Sequence, residues 1–377
     1  MATVADVVKA VDRLAPFALA EEWDNVGLLL GDAGRDVRRL LVCLDVGEAV
    51  CDEAERVGAE AVLAHHPLIF KGVQRLTSET RVGRLALRLL AGRRAVIAAH
   101  TNLDSAEGGL CDIVAGMVGL VDLAPLQAAP ARTAHKVVVF VPEKDLEAVR
   151  AAAFEAGAGR IGDYTQCGFS AEGEGTFLPG DAAAPAVGQI GRRSAVRERR
   201  FEMLVEGRRL GAVLAAVARA HPYEEPAIDV YRLHAPPAGL GIGRVGRLVQ
   251  PKTLAALADE AARAFGLKAI HCAGDPGAKV ERVAVVTGGG GGLGDAVAEA
   301  GCQAYLTGEL NYHETEDLAA RGIGVILGGH YRTERVPLEA WAPRLARELG
   351  GVEVLLSASD GEATHLRQGG AGAGGEG

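Results

Sequence analysis

Apolar positions along the chain switch repeatedly between a helical and an extended period, and the switches outline the elements. Val4, Val7, Val8, Val11 and Leu14 fall on one helical stripe, with Thr3 and Asp6 placed as a capping box before it and Pro16 as a stop after it. Short apolar runs then alternate with amphipathic stretches. "LLVCLDV" (40–46) predicts a strand and "GEAVCDEAERVG" (47–58) a helix. Near the other end the same order returns as "VAVVT" (283–287) and "GGLGDAVAEAG" (291–301). Alternation of this kind implies mostly parallel sheets with helices on their faces.

The two regions also match residue by residue. "VGAEAVLAHH" (57–66) aligns without gaps with "AGCQAYLTGE" (300–309), and "VIAAHTNLD" (96–104) parallels "VILGGHYRTE" (325–334). Each copy of the second pair is a strand, two small residues, then a histidine followed four positions later by a carboxylate: His100 with Asp104, His330 with Glu334. A duplicated α/β unit is expected, as two similar lobes over residues 1–128 and 238–362. Between them, "HKVVVFVP" (135–142), a helix from Glu143 to Gly157, two further strand-like runs, the helix "RRLGAVLAAVARAHP" (208–222) and "AIDVYRL" (227–233) give β-α-β-β-α-β. That is the order of a ferredoxin-like insert domain, here over 133–234. "LAPLQAAPART" (123–133) and "HAPPAGLGIG" (234–243) read as its linkers, and 363–377, ending "GGAGAGGEG", as a disordered tail.

Composition narrows the function classes. The 377 residues are 49% hydrophobic, with 40 basic and 49 acidic residues and a net charge of −9. No dense Lys/Arg run supports specific nucleic-acid binding, and "GRRSAVRERR" (191–200) is an interrupted strand face or loop. No uncharged apolar run approaches the ~18 residues that a membrane helix needs, so no membrane contact is expected. The N-terminal stripe carries Asp6, Lys9 and Asp12 where a signal peptide would be apolar. Six scattered cysteines without a CxxC pair point to free thiols in a cytoplasmic protein.

The candidate chemistry sits where apolar runs stop. Successive strand side chains point to opposite faces, so His65 and His66 share one site only if their strand ends there. With Asp104, His330 and Glu334 they form a set of strand-end ligands, and open α/β sheets place sites beyond such ends. His and carboxylate without Cys suit Zn, Mn, Fe, Co or Ni at a working site. Five ligands are too few to fill two coordination shells, so a pair of divalent ions per chain would keep open positions, as in two-metal hydrolytic sites. His330 and Glu334 lie on one face if a helix starts at His330. Glu309, His313 and His100 are candidate catalytic residues for moving protons. Loop capping or support competes with that role for Glu309 and His313; for His100 the competitor is a hydrogen-bond or substrate contact. Asp24 and Asn25, beside Trp23, either orient ligands or form a plain turn.

"TGGGGGLGDAVAEAG" (287–301) also satisfies a dinucleotide fingerprint at Gly289, Gly291 and Gly294, with Glu309 placed as the ribose acid. Five consecutive glycines meet most spacings by default, however, and that role would leave the histidines idle. Glycines here are better placed to let backbone approach a metal site or a phosphate.

"EEWDNVGLLLGD" (21–32), "AHHPLIFKG" (64–72), "AAHTNLD" (98–104), "AYLTGELNYHE" (304–314) and "GHYRTE" (329–334), in this order, resemble the Nif-three-like family of dinuclear metal-centre proteins. Its members are often labelled type-two homologues of GTP cyclohydrolase. The resemblance implies a core of two similar α/β lobes and a metal pair held by His65, His66, Asp104, His330 and Glu334. It also implies a small-molecule, nucleotide-like substrate and self-association as a homo-oligomer, commonly a hexamer. "AHPYEEPAIDVY" (220–231) makes the middle segment similar to the CutA/PII-like insert of the longer members. A metal-dependent hydrolase and a metal-binding regulatory or metal-handling oligomer with little turnover both fit.

Overall fold

The apolar runs Ala61–Ala64 and Ala95–Ala98 form strands of four residues buried on both faces, which a sheet covered by helices requires. The computed structural model describes residues 2–128, 134–161, 164–233 and 240–362. Its first segment runs α1 (Val4–Leu14), β1 (Gly27–Leu30), β2 (Arg39–Cys43), α2 (Glu48–Val57), β3 (Ala61–Ala64), α3 (Arg81–Ala91), β4 (Ala95–Ala98), α4 (Thr101–Ser105), α5 (Leu110–Met117) and β5 (Leu120–Ala128). The capping box is formed: Asp6 N donates to Thr3 Oγ1 and Thr3 N to Asp6 Oδ2. Four of these strands lie in the first sheet in the order β1-β4-β3-β2, with β2, β3 and β4 parallel and β1 antiparallel at the edge.

The middle segment runs β6 (Ala134–Pro142), α6 (Leu146–Glu155), β7 (Gly168–Phe177), β8 (Ser194–Glu206), α7 (Leu210–Ala220) and β9 (Ile228–Arg232). Its antiparallel sheet has the order β7-β8-β6-β9, the split βαβ arrangement. Val137, Val139, Phe201 and Met203 face Val149, Val213 and Val217 of the two helices in one core. The helix expected from Glu143 begins with a 3₁₀ turn at Glu143–Asp145.

The last segment runs β10 (Gly241–Thr253), α8 (Leu254–Ala264), β11 (His271–Ala273), β12 (Lys279–Gly289), α9 (Gly294–Glu299), β13 (Ala304–Glu309), α10 (Tyr312–Ala320), β14 (Gly324–Leu327), α11 (His330–Leu349) and β15 (Glu353–Leu356). Its sheet has the order β11-β14-β13-β12-β10-β5, with β12, β13 and β14 parallel and β11 antiparallel beyond β14. Strands β11, β14, β13 and β12 thus stand in the same order and directions as β1, β4, β3 and β2. Mixed α/β architecture with several sheets is what the alternation of periods predicts.

Each half then gives a strand to the other. β15 pairs with β2 in the first sheet, and β5 joins β10 in the second. The chain accordingly groups into one unit of Met1–Gln127 with Gly239–Gly377 and another of Ala128–Ala238. Leu123–Ala128, expected as linker, is strand. β5 is the edge of its sheet, where Pro125 removes no needed ladder bond. Arg244 fastens the exchange from inside, donating to Asp112 Oδ1 at 2.5 Å, Gly243 O at 2.7 Å and Ala106 O at 2.7 Å. Apolar layers such as Leu41, Val62, Leu85 and Leu89 fill the space between the first sheet and its helices. Each such fully buried side chain contributes about 1.5–3 kcal/mol. The tail and residues 129–133 and 234–239 of the linkers lie outside the described residues.

Candidate metal centre

β3 stops at Ala64, and the two histidines follow directly. His65 N and His66 N still donate to Cys43 O and Leu44 O, so the backbone stays tethered while both rings are released to one end of the sheet. Their centroids are 5.2 Å apart. β4 ends at Ala98, placing His100 at the N-cap of α4 and Asp104 buried one turn on. From the other half, β14 ends at Leu327, Gly329 turns with φ of +80°, and α11 starts at His330, with Glu334 on the same face. The strand-end rule thus holds for both halves.

All four rings are anchored the same way. Nδ1 meets Ala99 O in His65 (2.9 Å), Asp45 Oδ1 in His66 (3.1 Å), Asp24 Oδ1 in His100 (2.9 Å) and Glu309 Oε1 in His330 (3.0 Å). A carbonyl or carboxylate only accepts, so each Nδ1 carries the proton and donates it. Nε2 is then the nitrogen left for the cluster, the arrangement found behind metal-bound histidines.

Nε2 of His66 lies 3.1 Å from Glu334 Oε2 and 3.3 Å from His330 Nε2, which itself stands 3.2 Å from Glu334 Oε1. His65 Nε2 is 3.6 Å from Glu334 Oε1 and 3.7 Å from Asp104 Oδ2. Those gaps exceed hydrogen-bond reach, and the nitrogen is buried without a partner, as is Glu334 Oε2 despite its nearness to His66. Buried polar atoms ordinarily are paired, so orphans in the middle of a ligand set fit a cation. Two groups of three can each offer ligand atoms within 4.8 Å of one another: His65, His66 and His100; and His66, His330 and Glu334.

The charges follow from this crowding. Burial alone would raise Glu334, but His65, His330 and His66 hold it well below the usual carboxylate range. Burial raises Asp104 against the opposing pull of His65. Burial also works against a charged His66, yet Asp45 and Glu334 push that ring up to about 10. The Glu334 hydrogen bond, against burial, raises His330 to about 9. Without metal, the cluster therefore holds protons that a cation would displace.

Of the candidate residues, His65, His66, His330 and Glu334 converge, and His100 joins the first group. Asp104 stands at its edge, with Oδ1 accepting from Thr287 Oγ1 at 2.6 Å. Glu309 reaches the site through His330 Nδ1. His313 is exposed on α10, with Glu316 at 3.9 Å, and belongs to neither group. Asp24 is more than a turn residue: its carboxylate takes His100 Nδ1, Thr101 N and Thr101 Oγ1, and those bonds outweigh burial and bring it down to about 2. Asp45, two residues beyond the end of β2, and Thr287, near the end of β12, escaped sequence reasoning, since neither carries a motif of its own. Gly288, within the glycine run, has φ of +63°, and a Cβ there would lie 2.0 Å from Glu334 Oε1. The run therefore makes room for the buried carboxylate.

Two α/β sheets that deliver strand-end histidines and carboxylates to one partly buried point define an α/β protein with a cluster able to hold metal. The chain belongs to the Duf34/NIF3 (NGG1p interacting factor 3) family, whose model matches residues 2–362. It is 42% identical over 335 residues to a Mycobacterium tuberculosis protein called GTP cyclohydrolase 1 type 2 homolog, covering 88% of each chain. A Bacillus subtilis protein of the same name is 36% identical over 361 residues, covering 94% of this chain and 96% of its own. Among solved structures, a Bacillus cereus protein related to NIF3 superposes with a TM-score of 0.67 at 33% identity, covering 97% and 99% of the two chains. Among the described residues, no helix is long and apolar enough to cross a membrane.

Proposed function

We propose that the protein holds two divalent metal ions per chain and is a metal-dependent hydrolase acting on a nucleotide-like substrate. The observation that carries this is the common anchoring of four imidazoles through Nδ1 around buried Glu334 and Asp104. His65, His66, Asp104, His330 and Glu334 would hold the ions, with His100 completing the first group. The donor set suits Zn, Mn, Fe, Co or Ni. When bound, such a pair supplies Lewis acidity and lowers the pKa of water near neutral pH. The chain's own residues prepare the rest. Asp45, Asp24 and Glu309 fix the tautomers, and Glu309, through its bond to His330 Nδ1, is the group placed to move a proton. His313, exposed outside both groups, and His100, if it completes the first group, are not. The names of the relatives support a nucleotide such as GTP. We further assign the chain to the cytoplasm as a homo-oligomer, a hexamer by family resemblance, and the βαββαβ unit to a CutA/PII-like insert. That separate unit also supports a second reading, a metal-handling or regulatory oligomer with little turnover.

Elemental analysis of purified wild type and of His66→Ala/His330→Ala tests the centre: close to two ions per chain are expected, falling sharply in the variant. Equal metal in both overturns it. A nucleotide panel with Zn, Mn or Fe added separates the two readings. Turnover that vanishes in His65→Ala supports the hydrolase, and bound metal without turnover supports the second.

A further inference from the structure

At the mouth of the cluster two large aromatic side chains are left in solvent: Trp23 is 58% exposed and Phe70 44%. They touch each other, with centroids 5.7 Å apart and planes at 43°, and both lean edge-on against His100, at 6.0 and 6.4 Å. Nothing about this placement is loose. Asn25 Nδ2 donates to Ile69 O at 2.6 Å, tying the turn of Trp23 to the segment of Phe70. Asp24, between Trp23 and Asn25, takes Asn25 N at 2.8 Å on the same oxygen that holds His100 Nδ1. One carboxylate therefore orients a ring of the cluster and the turn that carries the exposed indole.

We infer that Trp23, backed by Phe70, is a stacking platform that binds the flat heterocyclic ring of the substrate beside the histidine cluster. This rests on the cluster being the reacting centre. A ring held between two aromatic faces needs them about 7 Å apart, twice the ~3.5 Å contact distance. At 5.7 Å and tilted, Trp23 and Phe70 leave no such slot, so the ligand stacks on the outward face of the indole. An exposed indole favours a planar π-system, since base–aromatic stacking tolerates any base. Its nearness to His100 puts the ring itself, rather than a remote phosphate, next to the cluster.

The chain's two tryptophans make this testable, because Trp341 is buried at 1% exposure and Trp23 is the one a ligand can reach. Metal-loaded protein is titrated with GMP and with ribose 5-phosphate, followed by tryptophan fluorescence and calorimetry. GMP is expected to quench and ribose 5-phosphate to leave the emission unchanged. Trp23→Ala should bind GMP roughly tenfold more weakly at unchanged metal content, the scale of one lost base stack. Trp23→Phe should bind close to wild type. Equal quenching by ribose 5-phosphate, no GMP binding by the loaded wild type, or wild-type GMP affinity in Trp23→Ala overturns the platform. Failure of the metal centre shows separately, as wild-type protein without metal.

Discussion

At the scale of single residues, the carboxylates around the cluster keep two of its histidines protonated. In the metal-free chain His66 and His330 are raised to about 10 and about 9, well above an unfolded histidine near 6.5. A group raised in this way contributes stability that is fully present below its unfolded pKa and is lost as pH rises through its folded one. Between about pH 7 and pH 10 the metal-free protein should therefore lose thermal stability faster than the loaded protein, whose cations replace the protons and keep Glu334 and Asp104 compensated. Melting temperatures of both forms across that range check this. Two curves that stay parallel would mean that the rings are not the groups exchanging proton for metal.

At the scale of elements, the glycine run after β12 illustrates why pattern and role differ. Gly288→Ala places a methyl group against Glu334 Oε1 in left-handed backbone. The strained backbone alone costs about 1–2 kcal/mol, so denaturant unfolding should show at least that loss, together with reduced metal content. Gly289→Ala, with open space around its Cβ position, should do neither. What was legible in the sequence was local: β3 stopping before His65, α11 starting at His330, the duplicated order, and the insert's β-α-β-β-α-β. Long-range exchange was not. Nothing in "VEVLLS" (352–357) says that β15 pairs with β2, and Pro125 disguised β5 as linker, because an edge strand tolerates what a central one does not. The stretch from Gly241 to Ala273, holding β10, α8 and β11, carried no motif to single it out. Asp45 was overlooked because a lone carboxylate after a strand looks like any turn residue until a ring is found on it.

At the scale of the molecule, the second unit enters at one place in the first. The side chains of Leu126 and Leu123 lie against the positions where Gly243 and Gly246 would carry a Cβ, so β5 and β10 run as the arms of a hairpin. The insert opens and closes on a neighbouring pair as well, His135 opposite Arg232 in β6 and β9. Replacing residues 129–238 by a short Gly/Asn turn should thus leave a folded, monodisperse core that still binds metal, as circular dichroism and elemental analysis would report. An unfolded product would mean that the first unit depends on the second for more than continuity of chain.

The crossed strands and the split ligand set also bear on how the protein is made. His66 and His330 meet across 264 residues. At roughly 5–20 residues per second of synthesis, the early imidazoles wait for tens of seconds before the late ones emerge. The second group, His66 with His330 and Glu334, can therefore assemble only after β14 and the start of α11 have been made. The first group, His65, His66 and His100, is already on the chain by then, so the two groups of ligand atoms come together one after the other rather than at once.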